Sequence, residues 1–285
     1  MQPPDTTLRI RNALTARSGP LIMGVMNVTP DSFSHLSRVT SPKEAFEKAQ
    51  ILLDAGMDML DIGAESTRPG FTPMTTEIEL GRLLPVLDLV ARLPVALSID
   101  TRNPVVMERS MAYSPLIIND TGGLEDDGFL LLMKKHANLL GVVMHGAGSG
   151  VSHHKKEIGR PVTESVSDYL GSRLKEISET GIGAERLLFD PGIGFGKTTE
   201  ENIHLIRHIS ELIPGYPILL GVSRKRFLGE ITREEIPENR DPQTLAVLAL
   251  VFRKISIFRV HDVKGAVAFR NAFNAISAGM NHHGP

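Results

Sequence analysis

The chain has 285 residues, 41% hydrophobic and 22% charged, with 31 Lys and Arg against 33 Asp and Glu for a formal net charge of −2. That composition supports neither disorder nor a membrane protein, and with no basic run it offers no electrostatic case for nucleic-acid binding. There is no cysteine, which excludes disulfides, thiolate nucleophiles and Cys-based zinc sites and fits a reducing cytoplasm. No apolar stretch approaches a membrane span, and the first residues lack a signal-peptide core.

Residues 1–19 read as a surface extension. The apolar run 21–26 then stops at Asn27. Ser41-Pro42-Lys43-Glu44 is a capping box with Pro at the first helical position; Phe46, Ala49 and Leu53 recur at helical spacing, and Gly56 ends the helix. The run 57–60 leads to Asp61 and, past Gly63, to Glu65. Thr76 to Glu79 reads as a second capping box before Leu80, Leu83, Leu84 and Leu87, with a bend expected at Pro85. The run 95–99 stops at Asp100, and Asn103-Pro104 opens a third helix. The run 116–118 stops at Asn119, before a weakly marked helix at about 128–136. The run 139–144 stops at His145; Val166, Leu170, Leu174 and Ile177 follow as a stripe ending before Gly181. The run 187–189 stops at Asp190, and Thr198 with Glu201 starts a helix carrying Ile206, Ile209 and Ile213. The run 218–222 stops at Ser223, Arg224 and Lys225, and Asp241-Pro242 starts a helix with Leu245, Leu248 and Phe252. The run 256–258 leads to Arg259 and His261; a last helix after Val263 carries Val267, Phe269, Phe273 and Ile276, leaving 279–285 as a tail.

Strand then helix, repeated, implies a parallel sheet. An open doubly wound sheet competes with a closed one, but eight units fill 1–285 with no room for a second domain. The expectation is an α/β fold, a single (β/α)8 TIM barrel, with chemistry at the C-terminal ends of the strands.

Several tempting motifs fail. Three residues separate Gly192 from Gly196 before Lys197-Thr198, where a phosphate loop needs four. Gly221-Val222-Ser223 is no nucleophile elbow, since Lys225 stands where Gly is required. His204 and His208 lack the Glu of a zinc-binding helix and read as surface histidines.

The strand-end polar residues do better together. Asp100, Asn119 and Asp190 suit a flat heterocycle, because a carboxylate accepts two N–H bonds from an amidine-like edge and an amide donates and accepts at once. The competing reading makes them caps of the following helices. Arg259 and His261, with Asn27 and Arg68, suit an anion such as a phosphate; against that stand a salt bridge from Arg259 to Asp262 and a core histidine. Asn27 also offers an oxygen to a hard cation such as Mg2+. The connections 29–34 and 65–70 read as lids over a substrate.

Gly24-Val-Met-Asn27-Val-Thr-Pro-Asp31-Ser-Phe33-Ser, Asp61-Ile-Gly-Ala-Glu65-Ser-Thr67-Arg68-Pro69-Gly70, Ser98-Ile-Asp100-Thr-Arg, Ile-Asn119-Asp120, Val-Met144-His145, Asp190-Pro-Gly-Ile-Gly-Phe195-Gly-Lys197, Gly221-Val-Ser223-Arg224-Lys225 and Arg259-Val-His261-Asp262 resemble, in order, the dihydropteroate synthase family, a pterin-binding TIM-barrel family, over about 21–277. The resemblance implies condensation of 6-hydroxymethyl-7,8-dihydropterin diphosphate with p-aminobenzoate to 7,8-dihydropteroate and diphosphate, in folate synthesis, with Mg2+ as cofactor and sulfonamides as competitors. It implies that Asp100, Asn119, Met144, Asp190 and Lys225 hold the pterin, and that Asn27, Thr67, Arg68, Arg259 and His261 hold the diphosphate, with Asn27 meeting the metal. Phe33, Pro69, Phe195, Ser223 and Lys225 would border p-aminobenzoate. Asn27, Asp31, Arg68, Lys225, Arg259 and His261 would carry the catalytic work. A homodimer through late helices, roughly 199–213 and 242–276, is also implied.

The chain departs from the family pattern at His35-Leu36-Ser37, Ala64, Gly146–150 and Thr244-Leu245-Ala246. The last departure is expected to alter the dimer surface. A methyltetrahydrofolate-dependent corrinoid methyltransferase domain would share the ring-binding residues but not Ser223-Arg224-Lys225. A non-catalytic pterin-binding paralogue would bind without releasing diphosphate.

Overall fold

The structure, a computed structural model, describes residues 14, 19–28, 41–65, 74–146 and 159–278. Asp31, Phe33, Thr67, Arg68 and Pro69 lie outside the described residues, as do most of both expected lids and the expected tails.

Eight strands form: β1 (Leu21–Asn27), β2 (Met59–Gly63), β3 (Ala96–Asp100), β4 (Ile117–Asp120), β5 (Leu140–Met144), β6 (Leu187–Asp190), β7 (Leu219–Leu220) and β8 (Ile257–Val260). They pair in parallel in the order β6-β5-β4-β3-β2-β1-β8-β7. The ring closes between β6 and β7 through a bridge of Phe189 with Ile218 and a 2.9 Å bond from Phe189 N to Pro217 O. The (β/α)8 expectation stands. Several strands are shifted from the apolar runs, among them β4 and β8, which carry Asn119 and Arg259 in their interiors. β2 begins at Met59 and carries Asp61 in its interior, and β7 keeps two residues of the run 218–222.

Strands buried on both faces read as continuous apolar runs, while the pleat still sends alternate side chains to opposite sides. Met23, Met59, Ala96, Ile117, Leu140, Val142, Leu188, Leu219 and Ile257 fill the barrel. Ile22, Leu60, Leu97, Ile118, Val143, Phe189, Leu220 and Phe258 pack outward on the helices. The inward pleat continues toward the C-terminal strand ends through Asp61, Ser98, Asp100, Asn119, Met144, Asp190 and Arg259. The interior is therefore apolar below and polar above.

The helices are α1 (Pro42–Asp54), α2 (Thr76–Val90), α3 (Pro104–Ser110), α4 (Asp127–Lys135), α5 (Val162–Glu179), α6 (Thr199–Arg207), α7 (Arg226–Thr232), α8 (Asp241–Val251) and α9 (Val263–Ser277). α1 starts on Ser41, whose Oγ accepts from Glu44 N, and buries Ala45, Ala49 and Leu52 rather than Phe46 and Leu53. Thr198 and Glu201 form the complete capping box expected for α6. The box expected at Thr76 and Glu79 does not form. Thr75 is the cap, and the buried Glu79 carboxylate turns inward to accept from Thr101 Oγ1 at 2.6 Å. α6 stops at Arg207, and Ile209 opens a separate 3-10 turn. α7 is an additional helix not read from the sequence. Among the described residues no helix is long and apolar enough to cross a membrane.

Candidate active site

Arg259 organises the polar end of the barrel. Its Nε donates to Asp61 Oδ2 at 2.7 Å and its Nη2 to Asp100 Oδ2 at 2.8 Å. Asn119 Nδ2 reaches both oxygens of Asp61, at 3.2 and 3.1 Å. The salt bridge from Arg259 to Asp262 does not occur; Asp262 instead caps α9, accepting from Gly265 N at 3.0 Å. Asp100 caps nothing either. Asn103 starts α3, and its Oδ1 accepts from Val105 N at 3.0 Å. Asp120 holds the turn after β4, accepting from Gly122 N and Leu124 N. Helix-end duties therefore fall to neighbours of the strand-end residues.

Unused bonding capacity remains in this layer. Asp100 Oδ1 and Ser98 Oγ are buried and, among the described residues, make no hydrogen bond. A buried acceptor without a donor is costly, so these atoms mark where a donating ligand would be stabilised. Burial pushes the Asp100 carboxyl above its usual range, against the pull of Arg259 and with help from Asp61.

A second group lies at the ends of β6 and β7. Asp190 Oδ1 accepts from Gly192 N at 2.7 Å. Lys225 Nζ donates to Ile193 O and stands 4.7 Å from the Phe195 ring centroid. Burial pulls the Lys225 ammonium down to about 8, while Asp190 pulls it back up. Burial raises Asp190, and Lys225 is the main opposing influence. Met144 is opposite Asp190 in the β5–β6 register, and both it and Phe195 join the inner apolar cluster. One wall is thus apolar and the other charged.

Arg224, between Ser223 and Lys225, has φ 60. That left-handed conformation is uncommon for a side-chain-bearing residue. Its side chain is held by Asp241 through bonds of 2.8 and 2.7 Å, and its N–H by Thr244 Oγ1 at 3.3 Å. Thr244 is buried and supports the site through this bond, whereas Leu245 is half-buried and Ala246 exposed. Ser223 Oγ in turn accepts from His261 N at 3.2 Å and lies 3.0 Å from His261 Nδ1. Arg259 and His261, neighbours in sequence, thus have different partners.

The structure therefore groups Asp100, Asn119, Arg259, Asp190, Lys225, Met144 and Phe195 inside the barrel mouth, and Ser223 with His261 at its rim. Asn27 closes β1, half-buried. Asp61, which the sequence alone does not single out for a role, is fully buried and bonded to both Asn119 and Arg259. Its signal was a charge in phase with Met59, inside an apolar strand. No group of three or more His, Asp or Glu among the described residues is arranged to hold a metal ion. The amide oxygen of Asn27 is a hard donor suited to Mg2+ if a ligand and water complete the shell.

Comparison with known proteins identifies the family of this barrel. Residues 23–261 match the family model described as pterin binding enzyme. A dihydropteroate synthase of Neisseria meningitidis serogroup C is 40% identical over 266 residues, spanning 92% of this chain and 94% of that protein. The Xanthomonas albilineans dihydropteroate synthase solved with 4-aminobenzoic acid superposes with a TM-score of 0.82 at 38% identity, covering 91% of this chain and 94% of that one. The same enzyme in complex with 7,8-dihydropteroate gives a TM-score of 0.79 at 35% identity, covering 93% and 96%.

Proposed function

The chain belongs to the pterin-binding enzyme family, and we propose from that premise that it joins 6-hydroxymethyl-7,8-dihydropterin diphosphate to p-aminobenzoate, giving 7,8-dihydropteroate and diphosphate. The activity is that of a transferase in folate synthesis. The carrying observation is the inward-facing Asp61–Arg259–Asp100 and Asn119 layer with Asp100 Oδ1 still open. An amidine-like ring edge supplies the donors that layer lacks. Asp100, Asn119 and Asp190 take the ring's polar edge, Met144 packs on its face, and Lys225 reaches it as a donor.

In the reaction the bond from the exocyclic methylene to the diphosphate oxygen breaks, and the electron pair leaves with diphosphate. The electron-rich dihydropterin supports the resulting cation. The neutral arylamine lone pair forms the new C–N bond and a proton is released. No protein nucleophile is required. What the protein supplies is preorganised charge: the Arg259 guanidinium and His261 with Ser223 serve the departing anion, and Asn27, Thr67 and Arg68 are assigned to the same anion. Asn27 would hold Mg2+, which when bound neutralises charge on the diphosphate. Phe195, Ser223 and Lys225, with Phe33 and Pro69, border the arylamine, a site sulfonamides would share. In this reading Asp31, Phe33, Thr67, Arg68 and Pro69 also serve the reaction, where keeping water from the cation is essential.

The chain acts as one barrel unit over 1–285, in the cytoplasm and as a homodimer through its late helices. Leu250 of α8 and Ile276 of α9, 53% and 78% exposed, support that face.

The test mixes protein, dihydropterin diphosphate, Mg2+ and labelled p-aminobenzoate and follows labelled dihydropteroate. Product that disappears when the diphosphate is replaced by the free hydroxymethyl pterin supports the reading. Pterin binding without product contradicts it and leaves a binding paralogue.

A further inference from the structure

The glycine-rich segment that falls one residue short of a phosphate loop ends at Lys197, whose ammonium bonds backbone carbonyls, with the Asp190 charge near enough to favour its charged form. Its Nζ donates to His145 O at 3.2 Å, Gly192 O at 2.9 Å and Phe195 O at 3.2 Å. An ammonium has three donors, and here all three go to backbone carbonyls. One lies just past β5 and the other two in the connection from β6 to α6, so one side chain ties two strand ends together. Gly192 makes the approach possible. It has φ 65, and a Cβ there would run into the His145 carbonyl. Asn202 secures the same connection from α6, accepting from Gly194 N at 2.7 Å and donating to Thr198 O at 2.8 Å.

The site hangs on this loop. Gly192 N holds Asp190, Ile193 O receives the Lys225 ammonium, and the Phe195 ring lies beneath that ammonium. We propose that Lys197 is a positioning residue, clamping the end of β5 to the β6–α6 loop so that Asp190, Lys225 and Phe195 are presented to pterin and arylamine together. Burial pulls its ammonium down to about 7; keeping a cation there is unfavourable, and a neutral side chain would avoid that cost but leave the three carbonyls without donors.

The proposal rests on the reaction assigned above, and its test separates the two. Lys197→Met and Lys197→Gln are compared with the wild-type protein for pterin Kd, p-aminobenzoate KM and kcat, each normalised to titrated pterin sites. In Lys197→Met, Kd and KM are both expected to rise about tenfold, since small misplacements of a binding group have effects of that order or larger. Lys197→Gln, which keeps an amide donor, is expected to lie between Met and wild type. A purely structural role would lower the number of competent sites and leave Kd and KM unchanged, which would overturn the proposal. If the Met variant does not fold, the Gln variant decides. If neither folds, Lys197 is a fold determinant and the positioning claim is lost. Failure of the wild-type protein to make dihydropteroate would contradict the reaction instead, and the pterin Kd comparison would still judge the lysine.

Discussion

The two ends of the barrel use the same residue types differently. At the N-terminal end, Arg186 donates to the carbonyls of Leu139, Met133 and His136 at 3.0, 2.6 and 2.8 Å. Arg270 pairs with Asp58, whose Oδ2 also accepts from Ile22 N at 2.8 Å. Those arginines bond to backbone or to an acid that itself holds backbone, so they staple loops to strands. At the C-terminal end Arg259 bonds two acids, and Asp100 Oδ1 and Ser98 Oγ remain open. Charge is at least half-buried at both ends, and among the described residues the difference is residual hydrogen-bonding capacity. The saturated end serves stability, and the unsaturated end serves a ligand.

The largest expected effect comes from the mouth. Asp190→Asn is predicted to lower kcat/KM by about 10²–10³-fold, the range for losing one preorganised electrostatic contact. Its thermal midpoint should move by only a few degrees, roughly what 1 kcal/mol produces in a domain of this size. Steady-state kinetics with a melting curve checks both. At the floor the pattern should invert. Arg186→Met leaves three carbonyls without their donor and should cost about 2–4 kcal/mol in urea unfolding, with kcat/KM per folded molecule unchanged. A large activity loss there, without unfolding, would break the comparison.

The pH profile offers a finer test. An ordinary lysine titrates near about 10.4, but burial brings Lys225 down to about 8. Its charge is present below that value and lost as pH rises through it. Activity that needs the cation should therefore fall on the alkaline side of about 8, and Lys225→Arg should move that limb upward even if its maximum is lower. The smallest effect is expected for Asp126→Ala, which removes the cap of α4 on the mouth side but outside the site. About 1 kcal/mol of stability should be lost, with both KM values unchanged. This variant shows that capacity for a ligand, and not mere location at the mouth, governs activity.

Much of this division was legible in the chain. Most strand runs end near a polar residue that the barrel turns inward or sets at its rim: Asp100, Asn119, Asp190, Arg259 and His261 lie at or next to strand ends, and Lys225 starts the helix after β7. What escaped depended on contacts distant in sequence. Arg259 meets Asp61 and Asp100 across 198 and 159 positions, whereas local reading offered it Asp262. Asp61 lies just past the apolar run 57–60, and only the pleat of β2 shows that it shares a face with Met59. Glu79 fits a capping box by spacing, but the buried Thr101 hydroxyl outcompetes the helix end for its carboxylate. Lys197 belongs to a motif that fails as a phosphate loop, and its bond to His145 O, 52 positions away, becomes possible only when β5 and β6 pair. α7 is as short as α3 but lacks the Asn-Pro start that marks α3: its cap, Lys225, makes no side-chain capping bond.

The central claim is that the open acceptors at the mouth are there for a pterin ring. Titrating 7,8-dihydropterin into the folded protein, beside Asp100→Asn and Asp190→Asn, tests it most directly. The account predicts saturable one-site binding by the wild-type chain, weakened about tenfold or more in each variant because a mismatched polar group is left unpaired, with melting little changed. Absence of binding to the folded wild-type protein, or equal affinity in all three, would contradict it.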